Sequence, residues 1–123
     1  MKFTQQRQDG ANLIRRYGAD FIVVGNEEIR SSCIVTVNAL SPWTPRSVDE
    51  LTVDSLAPLF ALTPEVVVLA TGAIQRFPRA RLRAEFATRR IGLEVMEIGA
   101  ACRTYNVLIS EERKVLAAML LPG

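Results

Sequence analysis

Val66-Val67-Val68-Leu69-Ala70 is an unbroken apolar run without polar alternation, and it constrains the fold more than any other stretch. A strand that is apolar on both faces must be covered on both. The run stops at Thr71-Gly72-Ala73, and an arginine-rich segment follows. A second apolar run, Gly92-Leu93-Glu94-Val95-Met96, comes next, and Gly99-Ala100-Ala101-Cys102-Arg103 opens a further helix. Two strands joined by a helix pair in parallel by default, through a right-handed crossover. The loops that follow them then meet on one edge of the sheet, where ligands usually bind.

The flanking segments fill in the parts. β-branched runs at 13–17, 21–24 and 29–37, separated by Gly, Asn and Asp, read as a small antiparallel meander whose last strand enters the main sheet. Ser41-Pro42-Trp43-Thr44-Pro45 holds two prolines in five residues, which argues against regular structure there. Trp43 either lids the core edge or walls a pocket. A helix is expected over 53–61 with Thr52 as its cap, although Ser47 and Glu50 also match a capping box, and Pro58 should weaken or kink it. Further helices are expected over about 79–90 and 100–110. The stripe of the last one is Ala101, Tyr105, Leu108 and Ile109. Val115 to Leu121 reads as a closing strand. The parts predict an α/β fold: a single three-layer domain over residues 12–123, with a mixed central sheet, helices on both faces and a β-rich N-terminal meander. Residues 1–11 are expected to be loose.

Composition excludes more than it assigns. The chain of 123 residues fits one domain. It contains no histidine, which removes Ser-His-Asp and Cys-His machinery and imidazole metal sites. The two cysteines, Cys33 and Cys102, form no C-x-x-C, so free thiols in a reducing compartment are expected, with no metal site. No cofactor motif is present. Neither an apolar leader nor a membrane-length run occurs, so the location expected is cytoplasmic. Net charge is only +2, too small to demand nucleic acid or a membrane.

The segments Leu69 to Pro78, Gly92 to Met96 and Ala100 to Leu108, in this order and spacing, resemble a family of small bacterial and archaeal proteins of unknown function. The family is related to a mitochondrial respiratory complex I assembly factor. The resemblance covers roughly residues 11–122. It implies a three-layer α/β domain with a mixed central sheet and no catalytic activity to transfer. The eukaryotic member works through protein partners. The chain shows no mitochondrial presequence, so complex I assembly does not carry over automatically.

Three groups of residues could carry function. The first is the strand-end edge: Thr71, Gly72 and Gln75 after one strand, with Glu94, Cys102, Arg103, Thr104 and Asn106 around the next. Gly72 allows close approach, the first turn of the last helix would favour an anion, and Arg103 adds a fork. The plainer reading has Gly72 making a turn and Arg103 pairing with Glu94 or Glu97. The second is Cys102, which helix position and Arg103 would activate, yet which lacks a base or resolving thiol and reads as packed and inert. The third is the run Arg76, Arg79, Arg81, Arg83, Arg89 and Arg90, with Arg79, Arg83 and Arg90 near one stripe. It reads as a solvated face or as a surface for phosphates or an acidic partner. Stacking rings for nucleic acid are missing.

Together these point to a non-enzymatic binding or assembly-factor-like module that acts through an unidentified protein partner, without specific nucleic acid or a membrane span. Homo-oligomerisation is left open. The alternative is a protein or enzyme for a small anionic ligand, using a cleft around Thr71, Glu94 and Arg103. A concave pocket with buried Glu94 and Arg103 would support the alternative, and a flat apolar surface patch the module.

Overall fold

The computed structural model describes residues 11–123. The segment expected to be loose, residues 1–11, lies outside the described residues but for Ala11. Ile14–Tyr17 (β1), Ile22–Val24 (β2) and Glu27–Ile29 (β3) form an antiparallel meander. Ser31–Thr36 (β4) and Ala39–Pro42 (β5) follow as a hairpin. Then come Val53–Ala61 (α1), Val66–Ala70 (β6), Ala80–Thr88 (α2), Gly92–Met96 (β7), Ile98–Ser110 (α3) and Val115–Pro122 (β8). The five-stranded sheet runs β5-β4-β8-β6-β7. β6 is parallel to both β7 and β8, and β4 is antiparallel to β8 and β5, so the sheet is mixed.

β6 sits between β8 and β7 and is buried along its whole length, which accounts for its unbroken apolar sequence. Val66, Val68 and Ala70 face one core with Ile98, Ala101, Cys102 and Tyr105 of α3 and with Ile14, Ile22, Val24 and Ile29 of the meander. Val67 and Leu69 face the other core, with Leu56 and Leu59 of α1 and Leu82 and Phe86 of α2. Three layers result, with helices on both faces. Each fully buried large apolar side chain contributes about 1.5–3 kcal/mol.

Local chemistry sets the helix ends. Thr52 and Ser55 form the capping box of α1, each side chain bonded to the other's backbone N–H. Ser47 makes no capping bond, and Val48–Glu50 is a short 3-10 turn. α1 runs on through Pro58. The carbonyl that proline leaves unpartnered is that of exposed Asp54, where water can serve it. Trp43 is buried and donates its Nε1–H to the Ser55 carbonyl at 2.8 Å, so it closes the core over α1.

Some boundaries correct the sequence expectation. The run 29–37 is not one strand: the chain changes sheets at Arg30, between β3 and β4. Ser41 and Pro42 do belong to a strand, because β5 is an outer strand and Pro42 ends it, where a missing N–H is tolerated. Arg90 lies past the end of α2 with φ +59°, so it is not on a helical stripe with Arg79 and Arg83. Ser32 fills the irregularity between β4 and β8, its hydroxyl accepting from Leu121 N at 2.9 Å and lying 3.2 Å from Leu121 O.

Candidate functional site

Parallel β6 and β7 deliver their following loops to one sheet edge, and backbone bonds join them there. Thr71 N donates to Met96 O at 2.9 Å, and Ile98 N to Gly72 O at 2.8 Å. The Thr71 hydroxyl lies 2.7 Å from the Ile74 carbonyl and accepts from Arg76 N at 3.0 Å, which folds residues 71–76 into a closed turn. Gln75 Nε2 donates to the outward carbonyl of Val95 at 2.9 Å, capping that end of β7. Gly72 has φ +95°, a conformation that L side chains rarely adopt. A Cβ there would meet nothing within 4 Å, so the glycine serves the turn and leaves open space beside it.

The start of α3 differs from the sequence expectation. The helix begins at Ile98, and the Glu97 carboxylate accepts from Gly99 N and Ala100 N at 2.7 Å each. These N–H groups, expected to be free for an anion, already hold one from the chain itself. Arg103 Nη1 donates to the Tyr17 hydroxyl at 2.6 Å, and its Nη2 lies 4.0 Å from Glu97 Oε2. The Tyr17 ring passes so close to Gly99 that a Cβ would sit 3.1 Å from it. Glu94 is exposed on β7 and forms no ion pair with any of the described residues. Arg103 is exposed as well. Asn106 points to β1, where its Oδ1 accepts from Ile14 N at 3.0 Å and its Nδ2 donates to Ile14 O at 2.9 Å. Thr104 is half-buried.

Cys102 is buried, and burial pushes its thiol up to about 12, with Glu97 adding and Arg103 opposing. Cys33 is pushed up to about 12 by burial and by Cys102 nearby. Among the described residues no group of His, Cys, Asp and Glu could hold a metal ion.

Apolar side chains also remain open at this edge. Ile74 is 71% exposed and Phe77 62%, on the loop that Thr71 and Gln75 hold in place. Sequence reasoning singled out neither Ile74 nor the Glu97 cap. Two apolar residues in a loop without periodicity, ahead of Pro78, were the available sign. Beside them α2 opens on arginine. Its first turn contains no acidic residue, and Arg79 at the N-cap makes no side-chain capping bond. Cations at a helix N-terminus oppose the helix dipole by about 0.3–1 kcal/mol each. The starts of α1 and α2 flank an open cleft of about 460 Å³, lined by Thr52, Val53, Asp54, Arg79, Arg81 and Leu82.

Known proteins give this chain its relatives. Residues 14–120 match the family described as protein of unknown function (DUF498/DUF598). The chain is 31% identical over 120 residues to NADH dehydrogenase (ubiquinone) 1 alpha subcomplex assembly factor 3 of Danio rerio, covering 96% of this chain and 69% of that protein. An uncharacterised protein of Rhodobacter capsulatus is 35% identical over 93% of this chain and 89% of its own. The NMR structure of a Xanthomonas campestris protein superposes with a TM-score of 0.87 at 35% identity, over 100% of this chain and 94% of that one.

Proposed function

We propose, for a chain that belongs to the family of proteins of unknown function DUF498/DUF598, a non-enzymatic role as a binding module of the cytoplasm that acts through a protein partner. The loop from Thr71 to Arg79 is its contact surface. The observation that carries this is the exposure of Ile74 and Phe77 on a loop held rigid by Thr71 and Gln75. A braced loop has little freedom left to lose on binding, and apolar side chains kept in water on such a loop gain by being covered. The likeness to an assembly factor supports the same role. No helix among the described residues is long and apolar enough to cross a membrane.

The alternative, a small anionic ligand at Thr71, Glu94 and Arg103, draws little support from the geometry. Glu94 and Arg103 are exposed, Arg103 is engaged by Tyr17, and Glu97 occupies the helix N-terminus.

The test is site-specific photo-crosslinking in the native cell, with the reactive group at position 77 and a control at Ser110 on the far end of α3. A discrete protein adduct at 77 and none at 110, lost on Ile74→Asp, is expected. Equal labelling at both positions, or adducts to small molecules alone, would refute the role.

A further inference from the structure

We infer that the partner surface is acidic: an apolar protein segment carrying Asp or Glu side chains, seated against Phe77 and held by Arg79, Arg81 and Arg83, an inference that rests on the binding-module reading above.

Ion pairing around the loop is uneven. Arg76 is matched by Asp49 at 2.9 Å, Arg46 by Glu50 at 3.9 Å and Arg89 by Glu85 at 2.7 Å. Arg79, Arg81 and Arg83 form no ion pair with any of the described residues. Arg79 donates from Nη2 to the Leu51 carbonyl at 3.2 Å, and Arg83 from Nε to the Pro78 carbonyl at 3.1 Å. Each bond uses one guanidinium N–H and steadies the rest of the fork, which still offers donors to a carboxylate.

Their position makes the inference sharper. All three lie at the start of α2, where the helix dipole disfavours positive charge and the first turn supplies no acid of its own. A placement that works against local stability is expected where function selects it. An incoming carboxylate would relieve the cation repulsion and the clash with the dipole at once. The cleft lined by Arg79 and Arg81 has Leu82 as its buried floor and exposed Val53 on its wall, so it offers apolar contact next to these two forks.

A folded or extended protein segment suits this surface better than a polyanion. Asp54 lines the same cleft, and Asp49 lies by the loop beside Arg76. Evenly spaced phosphates would meet these carboxylates, whereas a protein can place its acids only where the arginines are. The net charge of +2 and one exposed ring, Phe77, within the arginine-rich segment also fall short of a nucleic-acid surface.

The test pans a phage-displayed random dodecapeptide library against the whole chain, with the Arg79→Glu, Arg83→Glu double variant as counter-selection. Enriched peptides are expected to place Asp or Glu beside Leu, Ile, Phe or Trp. In anisotropy titrations their binding should weaken at least tenfold for Phe77→Asp and at least tenfold for the double variant. Exchanging the peptide's acids for Lys should restore binding to the double variant. Should that variant not fold, Arg81→Glu carries the same comparison with roughly a threefold loss, the figure set by the fewer contacts of one charge. Peptides that need Phe77 but ignore every arginine overturn the acidic partner and leave the docking loop standing. Peptides indifferent to Phe77 as well overturn both. Failure to enrich any peptide, or tighter binding of a single-stranded RNA 20-mer or of anionic phosphatidylglycerol vesicles, overturns the inference.

Discussion

Asn106 offers the most direct energetic test of how this fold is held, because one side chain satisfies both backbone groups of Ile14. Its Oδ1 accepts from Ile14 N at 3.0 Å, and its Nδ2 donates to Ile14 O at 2.9 Å. Asn106→Ala removes both bonds. A neutral hydrogen bond contributes about 0.5–1.5 kcal/mol net, so the pair is worth about 2 kcal/mol. Asn106 is half-buried, so water reaches part of the gap and the larger penalty for an isolated buried group does not apply. For a domain of this size that loss lowers Tm by roughly 8 °C. It should fall mainly on β1, since Ile14 anchors that strand in the core shared with α3. Urea denaturation gives the global loss. Hydrogen exchange at Ile14 should speed up by about thirtyfold, the factor that matches about 2 kcal/mol. A stability loss under about 0.5 kcal/mol, with β1 exchange unchanged, would show that the bonds merely accompany the packing.

Other expectations follow from the same geometry. Gly72→Val should cost about 1–2 kcal/mol, set chiefly by the forced φ of +95°, since a Cβ there meets nothing within 4 Å; loss of the whole loop's exchange protection would contradict this. Arg103→Ala should cost under about 1 kcal/mol in thermal unfolding, because the ion pair with Glu97 is long and exposed; a loss of several kcal/mol would mean a buried partner. The buried thiols predict alkaline weakening. Their folded values near 12 lie above the ordinary thiol value, so the folded state retains protons that the unfolded state releases. Stability is then full below about 8.5 and falls as pH rises towards 12, by up to about 1.4 kcal/mol per unit for each thiol. Urea titrations at pH 8 and 10.5 check this, and Cys33→Ala should flatten the slope. Native Cys102 should alkylate far more slowly at pH 8 than an unfolded control, and equal rates would refute its burial.

Elements with one strong physical cause were legible from the residues alone. The apolar run at Val66 suited a strand covered on both faces, and Ala101, Tyr105, Leu108 and Ile109 fall on one face of a helix. Parallel pairing of β6 with β7, and loops meeting at one edge, followed from the connecting helix. The fate of polar groups was not legible, because their partners are remote in the chain. Asn106 is matched to Ile14 across 92 residues and Arg103 to Tyr17 across 86. Strand order had the same character: Pro42 could join a strand only because β5 came to lie at the sheet's edge. Glu97 was near its targets, yet whether it or an outside anion filled the α3 N-terminus depended on where the helix began, two residues before the expected start. Local spacing sets which faces turn inward. Only the closed tertiary structure decides which polar atoms find one another, and which apolar side chains, here Ile74 and Phe77, find nothing to cover them.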